Sequence, residues 1–252
     1  MRETIAEIGE LALLERLKPY CGDVVGDDGA LVAVKPGHRL VVTTDVLVDE
    51  VHFSDRTTPP HSVGWRSVAA NLSDLAAMGG APLGITVGLG LPPQTSWQWV
   101  EELYRGMADC LNRYGGAIVG GDLCRANQRT VSITAMGQVQ PERAIYRHSA
   151  RSGMSVVITG VHGLSRAGFA LLGASAEPVS EERAKWIEAH QYPVPRFDAI
   201  AHLQRIAQTL KPYPTIAGMD SSDGLANALL QISQRSKVGW RSGDRNFRFL
   251  NR

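Results

Sequence analysis

LVVTTD, residues 40–45, is an apolar run that stops on an acid. The chain repeats the pattern at 117–122 (AIVGGD) and 215–220 (TIAGMD), the last followed by a second acid at Asp223. Aspartate is depleted inside strands, so each acid is expected just past a strand's C-terminal end, where α/β sheets place their ligands. Carboxylates gathered there point to magnesium, which reaches a protein through a few carboxylates together with substrate phosphates. Zinc fits poorly, because Cys21, Cys110 and Cys124 form no CxxC pair and stand near no spaced pair of histidines.

Working outward, hydrophobic periodicity predicts a helix at 3–17, a strand at 38–53 with a break after Asp45, a helix at 62–78 and a strand at 83–91. A helix follows at 96–114, with Thr95 and Gln98 as a capping box, then strands at 116–120 and 130–139. A second unit begins near Arg147. It reads as a strand at 155–160, a turn rich in glycine (Gly160, Gly163, Gly168) and a helix at 165–173. A connection bearing prolines comes next, then a helix at 196–209, a strand at 215–219 and a helix at 223–234. Alternation of helices and strands gives an α/β (α+β) class.

A chain of 252 residues, 44% hydrophobic and 20% charged, reads as soluble and globular. Glu3, Glu7 and Glu10 among apolar neighbours make the N-terminus an amphipathic helix in place of a signal peptide. No apolar run reaches the roughly 20 residues of a membrane span. Three cysteines without disulfide spacing imply a reducing compartment, hence the cytoplasm. From Arg235 onward six basic residues face the single acid Asp244, so the body before them is mildly acidic under a net charge of +1. Such a body needs cations to handle phosphates. The tail mixes Trp240, Phe247 and Phe249 with arginines, but it is too short for a module and no basic stripe elsewhere supports nucleic-acid binding.

Each acid also has a plain structural reading. Asp28-Gly29 is a turn signal, Asp45 and Asp122 would end strands in polar turns, and Asp220-Ser221-Ser222-Asp223 would cap a helix. Asp74 lies opposite the apolar stripe of the 62–78 helix, where a solvated carboxylate is the ordinary outcome. Together the acids are hard to explain without a cation. Thr43 and Thr44 offer neutral oxygens beside Asp45. Gly120-Gly121 before Asp122 would let backbone approach a phosphate. His52 could donate to a substrate phosphate, and Arg147 could grip one through its planar fork, although both are commonly surface residues. There is no GxxxxGK[ST] sequence, so any nucleotide site is not a P-loop.

The segments GDDGALV, VVTTDVLVDEVHF, GWRSVAANLSDLAAMGGAP, IVGGDL, YRHSARSG, VITGVHGLSRAGFALL and MDSSDGLANALLQIS resemble the thiamine-monophosphate kinases over about residues 3–238. That family belongs to the superfamily that includes aminoimidazole ribonucleotide synthetase. NLSDLAAMG with VHF carries the specific part of the likeness. The resemblance implies a two-domain fold, with residues 1–146 binding ATP and magnesium and forming a homodimer. Residues 147–238 would be a partial second domain and 239–252 an atypical basic tail. It implies transfer of the γ-phosphoryl group of ATP to thiamine phosphate, giving thiamine diphosphate and ADP. By the same resemblance Asp27, Thr43, Thr44, Asp45, Asp74, Asp122, Asp220 and Asp223 would hold Mg2+. Gly121, Asp122, Arg147, Ser222 and Tyr104 would contact ATP, and His52 the thiamine phosphate.

Two departures stand out. Arg151-Ser152-Gly153-Met154-Ser155 lacks the acid of the family's Gly-Asp, and GWRSGDRNFRFLNR replaces the family's GGEDYE-like segment and the strands after it. The second domain is therefore expected to be incomplete and the tail to lack packed structure. Two alternatives stay open: another ATP-dependent enzyme of the superfamily, or an impaired fragment that binds nucleotide or oligomerises.

Overall fold

The computed structural model describes residues 3–25, 29–173 and 180–239. Its centre is a four-stranded sheet of β1 (Arg39–Val48), β2 (Ala81–Leu91), β3 (Ile118–Arg125) and β4 (Thr130–Val139), in the order β1-β4-β2-β3. β4 lies antiparallel to both β1 and β2, while β2 and β3 run parallel. Helices α1 (Ile5–Ile8) and α2 (Glu10–Leu17) precede the sheet, α3 (Pro60–Ala77) connects β1 to β2, and α4 (Trp97–Tyr114) connects β2 to β3. After β4 come α5 (Leu164–Gly173), α6 (Glu181–Gln191), α7 (Phe197–Gln208) and α8 (Leu225–Ser236).

α3 and α4 cover one face of the sheet. Leu72, Leu75, Leu103, Met107, Ile85, Val87 and Ile133 are fully enclosed between them. The two helices cross at glycines: a Cβ at Gly64 would lie 1.9 Å from the Leu103 carbonyl oxygen, and one at Gly106 would lie 1.9 Å from that of His61. This is backbone-to-backbone contact. It explains why α3 is buried almost all round, since α6 and α7 take its remaining side. Trp65 Nε1 donates to the Pro193 carbonyl at 2.9 Å, and Gln204 donates to that of Gly79 at 2.9 Å. The opposite face of the sheet carries Leu40, Val42 and Val46, which are 50%, 57% and 46% exposed.

The structure departs from the sequence expectation in several places. Gly9, at φ 78°, splits the first helix in two. β1 runs unbroken through Asp45, which pairs with Ile133, so this acid stands mid-strand and not at a strand end. Ladder bonds use backbone only, and an edge strand can carry a polar side chain at its open rim. β3 likewise continues through Asp122 to Arg125. Ser96, one residue after the expected Thr95, caps α4 by accepting from Trp99 N. Among the described residues the segment expected as a strand at 155–160 joins no ladder, and that at 215–219 is reduced to one bridge between Tyr146 and Ala217. An apolar run becomes a strand only with a partner for its N–H and C=O groups. α6 forms where the sequence predicts only a connection bearing prolines. Among the described residues no helix is long and apolar enough to cross a membrane.

Candidate active site

Alternation along β1 sets Val41, Thr43, Asp45 and Leu47 toward α3. Asp74 occupies the last turn of α3 above them, and Thr43 Oγ1 donates to its carboxylate at 2.6 Å. Asp74 is thus a partly buried, hydrogen-bonded acid and not a solvated one. From the other side comes the Asp220–Gly224 turn that leads into α8, closed by Gly224 N donating to Ser221 O at 2.9 Å. Gly224 there has φ 103°, a backbone state that favours glycine. The Tyr146–Ala217 bridge sets Arg147 beside this turn, where its Nη1 donates to Gln231 at 2.8 Å. Asp45, Asp74, Asp220, Asp223 and Arg147 line one cavity of about 190 Å³.

The cavity is short of positive charge. Burial raises Asp45 above the ordinary carboxylate value, repulsion from Asp220 and Asp223 raises it further, and nearby His52 eases it. Burial is also the main cause raising Asp74. The Thr43 hydrogen bond opposes it, Asp220 and Asp45 add to it, and Arg147 again opposes it. Four carboxylates against one guanidinium form a site that favours a cation. Among the described residues, though, no three acids or other ligating side chains converge tightly enough to close a metal site alone.

A family profile described as AIR synthase related protein, N-terminal domain, matches residues 26–139. The thiamine-monophosphate kinase of Synechococcus elongatus is 46% identical over 240 residues, which span 94% of this chain and 72% of that protein. The chain belongs to the thiamine-monophosphate kinase family. A crystal structure of the Stenotrophomonas maltophilia thiamine-monophosphate kinase superposes with a TM-score of 0.76 at 32% identity, covering 91% of this chain and 72% of that one. Another, described as "AaThiL complexed with AMPPCP and TMP", gives 0.72 at 34% identity, covering 92% and 71%.

The family expectations fall unevenly on the structure. Asp45, Asp74, Asp220, Asp223, Ser222 and Arg147 are brought together. Thr43 reaches the site through Asp74. Thr44 turns to the opposite face, where its hydroxyl meets that of Thr134, so it offers no side-chain oxygen beside Asp45. Asp122 is exposed on edge strand β3, with Gly88 as its neighbour in β2, and stands apart from this cavity. The need for glycine at 121 is internal: a Cβ would lie 2.3 Å from the Val87 carbonyl oxygen. Tyr104 is 5% exposed, packed in the core against Tyr20, which separates it from the cavity. Asp27 lies outside the described residues, as does the tail from residue 240. Asn227 and Gln231, one helical turn apart on α8, line the cavity as well. Their i, i+4 spacing after Asp223 was the available signal.

Proposed function

We propose that this chain transfers the γ-phosphoryl group of ATP to thiamine phosphate, forming thiamine diphosphate and ADP, with Mg2+ as cofactor. The observation that carries the reading is the cavity in which Asp45, Asp74, Asp220 and Asp223 face Arg147. Two polyanions repel, and phosphoryl transfer is catalysed mainly by positioning and charge neutralisation. The open spacing of the acids suits magnesium, which keeps several waters and completes its shell with substrate phosphate. When bound, magnesium would offset the charge of the acids and of the phosphates.

The chain's own groups do the rest. Arg147 can exchange Gln231 for a nucleotide phosphate, held through two parallel N–H bonds. Ser222 stands ahead of α8, and both it and Gly224 at the helix start line the cavity, where a helix N-terminus favours a phosphate. Gly121 and Asp122 would reach ATP from β3. Val48 N–H donates to His52 Nδ1 at 3.1 Å, so in the neutral ring the proton sits on Nε2, ready to donate to the acceptor phosphate. That phosphate oxygen is already an anion and needs no strong base. The three free cysteines, with Cys124 exposed, agree with a cytoplasmic setting.

Thiamine diphosphate and ADP should form from thiamine phosphate and ATP only when Mg2+ is supplied, and calorimetry should show ATP binding at least tenfold weaker without it. Absence of product from the full chain would sink the kinase reading. Equal ATP affinity with and without the metal would sink the magnesium assignment.

A homodimer is part of the same proposal, through the sheet face bearing Leu40, Val42 and Val46. Apolar side chains about half exposed in a row on one face mark an interaction surface. Sedimentation should give twice the monomer mass, and Val42→Asp should give the monomer. A monomeric wild type would refute the assignment.

A further inference from the structure

The loop between β1 and α3 carries His52, and a single arginine holds it from both sides. Arg129 opens the approach to β4 and is 14% exposed. Its Nε donates to Asp49 Oδ2 at 2.7 Å, before His52, while Nη1 and Nη2 grip Asp55, after it, at 2.7 and 3.0 Å. The guanidinium lies 4.9 Å over the Trp99 ring, and Phe53, buried within the same loop, packs on Trp99. Backbone ties complete the attachment: Asp49 N donates to Arg129 O at 3.0 Å, and Gln128 Nε2 donates to the Asp49 carbonyl.

The enclosed turn is tight and strained. His52 N donates to Val48 O at 2.8 Å and Glu50 N to Phe53 O at 2.8 Å. Glu50 itself adopts φ 60°. A residue with a side chain stays in that left-handed state only where its surroundings over-determine it. The result of the closed turn is the Val48 N–H to His52 Nδ1 bond, which selects the ring tautomer with the proton on Nε2. An exposed histidine lacking that bond would exchange between tautomers and rotamers.

We propose that Arg129 is a positioning residue for the acceptor substrate: by bridging Asp49 and Asp55 it keeps the 48–52 turn closed and so fixes the orientation and tautomer of His52. A lysine cannot replace it, because one ammonium cannot serve two carboxylates through a planar fork. The inference rests on the proposed kinase reading only for the identity of the substrate that His52 meets.

The test compares wild type, Arg129→Ala and Asp55→Asn by nitrogen NMR of the imidazole ring at neutral pH, with the His52 signals assigned by their loss in His52→Gln. Wild type should show His52 protonated on Nε2. Arg129→Ala should shift both ring nitrogens toward the tautomer average, and Asp55→Asn, which strips one arm of the bridge of its charge and its second acceptor, should shift them part of the way. In turnover, Arg129→Ala should raise the KM for thiamine phosphate at least tenfold and leave that for ATP within twofold. Wild-type ring signals in both variants would overturn the clamp, and so would equal rises in the two KM values. Should Arg129→Ala fail to fold, Asp55→Asn decides. Absence of kinase activity in the wild type would fall on the functional reading, and the ring signals would still judge the clamp.

Discussion

Asp45→Asn is expected to lower thiamine diphosphate formation by about 100-fold or more, the scale seen when one group that neutralises transition-state charge is removed, while the metal-free protein melts at or above the wild-type temperature. Asp45 is held above the ordinary carboxylate value by burial and then by Asp220 and Asp223. A carboxyl whose folded value is raised favours the fold while protonated and loses that favour as pH rises through the folded value. Once ionised, Asp45 therefore works against the fold. Asparagine keeps the shape of the protonated acid and relieves the repulsion. The variant's advantage should shrink as pH falls toward 3.8, the ordinary aspartate value. Melts at several pH values, with and without Mg2+, would check this: the metal should stabilise wild type by mass action and the variant much less. A variant that keeps activity and loses stability would make Asp45 a structural residue.

The largest effect on stability is expected at the crossing of α3 and α4. Gly64→Ala and Gly106→Ala each place a methyl group 1.9 Å from a backbone carbonyl oxygen of the facing helix, a distance no Cβ tolerates. Neither neighbour is a side chain that can swing away, so the helices must separate along a seam that is otherwise fully packed. Overpacking of this kind costs about 3 kcal/mol or more. Gly173→Ala at the end of α5, with nothing among the described residues within 4 Å of its Cβ position, should stay within about 0.5 kcal/mol of wild type. Urea unfolding of the three variants measures the contrast. Similar stability for Gly64→Ala and Gly173→Ala would contradict the close crossing.

The N-terminal half was legible because its periodicities are long and its partners local in type: α3, α4 and β4 fall within two residues of the expected spans. The boundary errors around the acids share one cause. A ladder continues for as long as its partner does, so Asp45 and Asp122 could not end strands whose neighbours ran on. The expected strands at 155–160 and 215–219 failed for the converse reason, having apolar character and almost no partner. Within the site, Asp74 was found by likeness and not by pattern, since Thr43 comes from another element and the bond between them has no local signature. Arg129 was invisible for the same reason. Its carboxylates stand 80 and 74 positions away, and nothing in RTVSIT marks the arginine as anything but surface.

The place of β4 between β1 and β2 has a consequence for synthesis of the chain. Among the described residues β1 bonds only to β4, with Asp45 opposite Ile133, so this ladder cannot form until residues 130–139 have left the ribosome. At ordinary elongation rates that interval is roughly 4–18 s, far longer than helix formation or hydrophobic collapse. Throughout it LVV at 40–42 is an unpaired apolar strand on a nascent chain whose α3 and α4 can already meet. The order of strands thus makes β1 the last piece of the sheet to be secured and the segment in greatest need of shielding while translation proceeds.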